Sequence, residues 1–163
     1  METIYVAKIR DLIKKKEQVE TVLNVKLEII GRKVTVTGAS LDEFVACNVF
    51  DAISFGFTVN QALLLKDEEI IFKKIHIRSH KKRNLADLKS RLIGTKGKTR
   101  RTLEAISNCK IVVGESDVGI IGDVESVEHV ETAIVSLIKG SKQANMYMYL
   151  EKMNAKKKKE EFF

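Results

Sequence analysis

RLIGTKGKTRRTL, residues 91–103, places Gly94 and Gly97 two spacers apart and follows the second with Lys98 and Thr99. Two kinds of phosphate could face such a segment. A nucleotide-binding P-loop needs Gly, four spacers and Gly-Lys-Ser/Thr, on a turn that leaves a buried strand. Gly97, Lys98 and Thr99 match its second half, but Leu92 stands where the first glycine belongs. The residues before the glycines, NLADLKSRLI (84–93), carry helical spacing and basic charge rather than an apolar strand pattern. No acidic strand end offers itself for magnesium, so an NTPase is not expected.

A nucleic-acid backbone fits each part. Two helices joined by Gly94-Thr95-Lys96-Gly97 let a phosphate come close, because glycine lacks the Cβ that would block it. The helix that follows, KTRRTLEAIS (98–107), points free N–H groups and positive partial charge at the same place. Lys96 at the tip, Lys98 in the first turn, and Arg100 and Arg101 beyond it add cations and forked donors.

Charge along the chain supports this choice. The net charge of +7 is unevenly spread: residues 70–110 hold 13 basic and two acidic groups, whereas 1–69 and 111–163 are each net −2. A polycation set inside a mildly acidic protein reads as a footprint for nucleic acid. Lys82 and Arg83 on the approach, Arg91 and Ile93 before the loop, and Lys110 on the next strand complete the candidate RNA-binding set with residues 94–98, 100 and 101.

The apolar pattern divides the chain into two similar blocks. In the first, strands are expected at ETIYVAKI (2–9), VKLEII and KVTVTG, with helices at DLIKKKEQVETVL (11–23) and at LDEFVACNVFDAI (41–53), the latter capped by Ser40. FGFTVNQALLL then turns at Gly56 into a further short helix. In the second, a strand at 69–77 precedes the two helices around the glycines, a hairpin of CKIVV and VGIIG, and a long amphipathic helix at 124–138. NVKLEI at Asn24 matches NCKIVV at Asn108, and TVTGASLDEFVA matches GIIGDVESVEHV, at an offset of 84. At Leu12-Ile13 and Leu92-Ile93 the offset is 80, so the first copy is one helical turn shorter where the second has its glycines. This implies a duplication whose first copy lost its loop.

Helix, GxxG, helix, strand, strand, helix is the signature of a KH domain, which clamps about four nucleotides of single strand. The resemblance extends over residues 3–153 to the archaeal and eukaryotic ribosome-assembly KH proteins known as Dim-two or Partner-of-Nob-one, and the short chain looks archaeal. GTKGKTRRTLE and the GS-x-x-x-x-x-Y-x-x-LEK segment carry it most specifically. It implies an α+β protein of two tandem type I (βααββα) KH domains, each a three-stranded antiparallel sheet packed against helices. The expected limits are 1–68 for a degenerate domain without the loop, 69–154 for the domain with it, and 155–163 for a disordered basic tail. It further implies a non-enzymatic, cofactor-free factor of the small ribosomal subunit that holds the 3′ end of pre-16S rRNA. Implied partners are a Nob-type endonuclease and, in archaea, the alpha subunit of initiation factor two. A general single-strand RNA chaperone is the alternative. KH grooves use aliphatic surface, which suits a chain with 6% aromatic residues and no Trp; Leu92, Ile93 and residues 109–113 would form the floor. RDLIKKKEQ in the first copy has no glycine, so that domain is expected to serve as structure and protein platform, with Lys14, Lys15 and Lys16 a solvated helix face.

Other chemistry finds no support. Cys47 and Cys109 stand 62 residues apart outside any CxxC pair, as reduced, packed thiols do. His76, His80 and His129 lack ligand spacing, and no nucleophile elbow or paired carboxylates occur. No 18-residue apolar run or basic and apolar leader is present, so a cytoplasmic protein without membrane contact is expected. Met146, Tyr149, Leu150 and Met153 share one helical stripe, expected to pack on the body of the protein.

Overall fold

A computed structural model describes residues 1–77 and 84–161, and the chain separates into two compact units, Met1–Phe72 and from Lys73 onward. In the first, β1 (Glu2–Tyr5), α1 (Ile9–Lys14), α2 (Lys16–Leu23), β2 (Lys26–Ile30), β3 (Lys33–Thr37) and α3 (Ser40–Phe55) follow the βααββα order. The sheet is antiparallel with β3 central, in the order β1-β3-β2. α4 (Val59–Ala62) and a 3₁₀ turn at Leu63–Lys66 close the unit. The order repeats with β4 (Ile70–His76), which starts at the end of the first unit, and then α5 (Leu85–Ile93), α6 (Lys98–Ser107), β5 (Lys110–Val113), β6 (Asp117–Asp123) and α7 (Val124–Ile138) of the second, and this sheet runs β4-β6-β5. α8 (Gln143–Glu161) is added at the end. Both copies are type I KH folds.

Three details repeat at the same offset and explain the shared local sequence. Asn24 and Asn108 end α2 and α6 in the left-handed conformation, with φ of 55° and 58°, which Asn tolerates better than most residues. Glu20 and Glu104 sit one turn earlier, and their carboxylates accept the backbone N–H of Leu27 (2.9 Å) and Ile111 (3.3 Å). Each ties a helix to the second strand of its sheet. Gly38 and Gly122 end the third strands, where a Cβ would meet Val25 Cγ1 at 3.0 Å and Cys109 Sγ at 2.5 Å respectively. Glycine is needed at both for close approach. Gly122→Ala is therefore expected to destabilise the second unit by about 1–3 kcal/mol through overpacking against Cys109, measurable by urea unfolding; an unchanged midpoint would show that Cys109 can move aside.

The helix expected at 11–23 is two helices, starting at Ile9 and broken at Lys15 (φ −110°), the place where the second copy has its glycines. The predicted strand 2–9 correspondingly stops at Tyr5. Ser40 lies inside α3 rather than capping it; Ala39 holds the cap position, and Glu43 reaches back to accept the Gly38 N–H at 3.0 Å. Phe55 and Phe57, on either side of Gly56, pack with Phe72 at ring separations of 5.8 and 5.5 Å. Each side chain fully buried in these cores, such as Phe50 and Ile53 or Leu88 and Ile134, contributes roughly 1.5–3 kcal/mol.

The expected disordered tail at 155–163 differs from what is found: α8 runs through it to Glu161. Met146 and Leu150 are buried, Tyr149 and Met153 half-buried, and Lys157 donates to Asp123 Oδ2 at 2.6 Å and Ser126 Oγ at 3.0 Å. Burial opposes the charge on Asp123, yet the bonds from Lys157 and Ser126 hold its carboxyl below the ordinary value. An ion pair at the start of α7 thus anchors a helix end that composition alone reads as frayed. Among the described residues no helix is long and apolar enough to cross a membrane.

Candidate nucleic-acid interface

Asn84 opens α5 by accepting the Asp87 N–H at 2.9 Å, and Leu88 and Leu92 bury its inner face. The helix ends because Gly94 takes φ 75°, ψ 175°, a region essentially closed to other residues. A 3₁₀ turn over Thr95–Gly97 follows, with Lys96 at φ 54° and Gly97 at φ 74°, and α6 begins at Lys98. The glycines therefore link helix to helix, not strand to helix, which is the wrong setting for a P-loop.

The two glycines serve different ends. A Cβ on Gly94 would lie 2.2 Å from Thr99 Oγ1 and 2.7 Å from Thr99 N, whereas one on Gly97 would meet nothing nearer than Arg100 Nη2 at 3.8 Å. Gly94 is tight against its own domain; Gly97 is partly exposed, and a side chain there would meet only the end of the Arg100 side chain, in ordinary van der Waals contact. Thr95, Lys96 and Lys98 are exposed. An approaching anion meets that backbone, two lysines and the first turn of α6 together.

The loop is held from behind. Arg101 donates from Nη2 to the Lys96 carbonyl at 2.9 Å and from Nε to the Gly97 carbonyl at 3.4 Å. Arg100 pairs with Glu104, the residue already tied to β5. Arg91 turns away, donating to the Ser141 carbonyl at 3.0 Å, while Gln143 Nε2 donates to the Arg91 carbonyl at 3.1 Å and to Thr99 Oγ1 at 3.4 Å. Ser141 and Gln143 thus brace the loop from the α7–α8 connection. Their part leaves no local sequence signal, since they lie 44 or more positions beyond the glycines.

The proposed site residues accordingly sort by geometry. Gly94, Thr95, Lys96, Gly97 and Lys98 come together at the tip, with Arg100 and Arg101 one turn on and engaged with their own chain. Arg91 braces the fold. Ile93 is half-buried, and Lys110 is exposed on β5. Lys82 and Arg83, like His80, lie outside the described residues. Of the expected floor, Leu92, Cys109 and Ile111 are core, which leaves Ile93, Val112 and Val113 partly accessible. Burial pushes the Cys109 thiol up to about 11, against the pull of its Ser107 hydrogen bond, so it stays protonated and inert.

The remaining candidates have local partners. His76 Nδ1 lies 2.9 Å from Asp117 Oδ1, His129 packs edge-on to Tyr149, and no cluster among the described residues could hold a metal. At the break in the first copy, Lys14 is exposed, while Lys15 and Lys16 are half-buried and Lys15 lies 3.6 Å from Asp11.

Two βααββα units, one with an open GxxG turn, define a tandem type I KH protein. Comparison with known proteins agrees and narrows the class. The second KH domain of the Partner-of-Nob-one proteins, described as a eukaryotic type KH-domain (type I), matches residues 71–155. A KH domain-containing protein of Methanocaldococcus jannaschii is 32% identical over 155 residues, covering 90% of this chain and 68% of that one. The pre-rRNA-processing protein pno1 of Emericella nidulans is 29% identical over 66% of this chain, which spans 43% of its length. The structure of an a/eIF2alpha-aDim2p-rRNA complex from Pyrococcus horikoshii contains a chain matched at TM-score 0.81 and 28% identity, over 95% of this chain and 94% of that one. The chain belongs to the Dim2/PNO1 family of KH-domain proteins.

Proposed function

We propose that this protein binds single-stranded RNA through the Gly94–Lys98 turn and acts in small ribosomal subunit assembly, holding the 3′ end of pre-16S rRNA during maturation. The observation that carries the reading is the partly exposed, uncrowded backbone of Gly97 between two exposed lysines at the start of α6. Aliphatic surface at Ile93, Val112 and Val113 offers a place for bases beside it. The role is one of binding and presentation, with cleavage left to a partner. A Nob-type endonuclease is that proposed partner. The Pyrococcus relative's complex with rRNA and the initiation factor alpha subunit supports extending the latter contact to this chain.

Fluorescence anisotropy tests the RNA assignment with an oligonucleotide of the 16S rRNA 3′ end and a scrambled control. Tighter binding of the native sequence is expected; equal affinity would favour a general RNA chaperone instead. If about four phosphates are neutralised on a single strand, log affinity against log salt should fall with a slope near −3, from roughly −0.7 per contact. A flat salt response would remove the electrostatic basis of the site.

A further inference from the structure

α8 lies outside the repeated βααββα order, yet its first residue reaches the helices on both sides of the Gly94–Lys98 turn. The Arg91 carbonyl belongs to the last turn of α5, where the helix has no N–H of its own to offer. Gln143 Nε2 donates to that carbonyl at 3.1 Å and to Thr99 Oγ1 at 3.4 Å, so one amide group joins the end of α5 to the first turn of α6. Thr99 is buried, and its Oγ1 fills the space that a Cβ on Gly94 would need. A chain of contacts therefore runs from α8 through Thr99 to the residue at which the turn begins.

The two copies separate a structural tie from this one. Asp11 stands before Leu12-Ile13 as Arg91 stands before Leu92-Ile93. Asp11 Oδ2 accepts the N–H of Val59, the first residue of α4, at 2.8 Å, and Arg91 Nη2 donates to the Ser141 carbonyl just ahead of α8. Each copy thus fastens the first helix of its pair to the segment that follows its last, with donor and acceptor exchanged. A tie present with and without the glycines belongs to the fold. The link to Thr99 is different. α2 opens with Lys16-Glu17-Gln18 and offers no hydroxyl in its first turn, and Gln61 in α4 is taken by its own capping box with Thr58. Among the described residues, the link accompanies the glycine turn alone.

We infer that Gln143 is a positioning residue for RNA binding: through Thr99 it fixes Gly94, and with it the direction in which Lys96, Lys98 and the Gly97 backbone are presented. The affinity of the turn then depends on a helix outside the KH fold. The inference rests on the proposed function of the Gly94–Lys98 turn. A turn held in place beforehand need not be ordered when the strand arrives, and that saving appears as affinity. Gln143 itself makes no phosphate contact, so its loss should weaken binding without changing the number of charges neutralised.

Gln143→Met keeps the length of the side chain and removes the donor. In the full chain it should weaken binding of the 16S rRNA 3′-end oligonucleotide roughly 5- to 10-fold by anisotropy, at an unchanged slope of log affinity against log salt and with little movement of the urea midpoint. Thr99→Val, which keeps the shape but loses the hydroxyl, should cause a loss of similar size, and Thr99→Ser should retain most of the affinity. Combining Gln143→Met with Thr99→Val should cost no more than either alone, as expected for two groups acting as one unit. Amide exchange at Gly97 and Lys98 should quicken in Gln143→Met while exchange in β5 and β6 does not. Lys157→Met, which frees the far end of α8 from Asp123, should leave affinity at the parent value. Parent affinity in a folded Gln143→Met, or losses that simply add in the double variant, would overturn the inference. Equal loss in Lys157→Met would overturn it too, since α8 would then act through its packing at large. The paired change Thr95→Asp and Lys96→Asp addresses the proposed function separately: full affinity there would remove the turn as the RNA site, whereas lost affinity there beside parent affinity in Gln143→Met would remove only this inference.

Discussion

Replacing Thr95 and Lys96 together by Asp is expected to weaken single-stranded RNA binding by roughly 10- to 100-fold while leaving Tm almost unchanged. The change puts two anions and removes one cation at the exposed tip. Each unit charge a few ångströms from a phosphate is worth about 1 kcal/mol in water, salt screens part of it, and 1.4 kcal/mol is a factor of ten. Asp also suits the geometry. Lys96 sits at φ 54°, and Asp enters the left-handed region more readily than most residues. Both side chains are exposed, so no core contact is lost. Anisotropy at fixed salt measures the affinity and thermal melting the fold. Unaltered affinity in a folded variant would remove the loop from the interface.

The order of elements and the position of the loop were legible because they depend on local chemistry. Amphipathic spacing marks α5, α6 and α7, and the glycines interrupt it between Ile93 and Lys98. The duplication was visible for a similar reason: Asn24 and Asn108, and Gly38 and Gly122, each answer a local demand on the backbone or its nearest neighbour. What the sequence hid was the use of individual cations. RLIGTKGKTRR reads as one basic surface, yet Arg91, Arg100 and Arg101 are spent on Ser141, Glu104 and the loop carbonyls. Charge in a sequence has no direction, and a guanidinium can serve its own chain as readily as a ligand. The end of α8 was missed for the complementary reason. AKKKKEE looks like a solvated tail, but Lys157 has a carboxylate waiting at Asp123.

Gly94→Ala and Gly97→Asn should separate stability from binding within four residues. Gly94→Ala forces a side chain into a backbone region that costs about 1–3 kcal/mol and drives its Cβ against the Oγ1 and backbone N of Thr99, adding about 1–3 kcal/mol more. A total of roughly 2–5 kcal/mol is a large share of the 5–15 kcal/mol typical of a whole domain. The second unit should unfold at distinctly lower urea concentration. Adding Thr99→Ala should recover only part of the loss, since the backbone N at 2.7 Å remains. Gly97→Asn meets neither obstacle: Asn accommodates the left-handed conformation, and its Cβ would meet only the end of the Arg100 side chain at 3.8 Å, an ordinary contact. Its urea midpoint should stay near the parent's, while the side chain stands where a phosphate would pass and lowers RNA affinity by about 10-fold, roughly 1.4 kcal/mol. Equal destabilisation by the two substitutions would show that backbone conformation, rather than contact with Thr99, governs the loop. Full RNA affinity in Gly97→Asn would show that the strand does not cross the bare backbone at all.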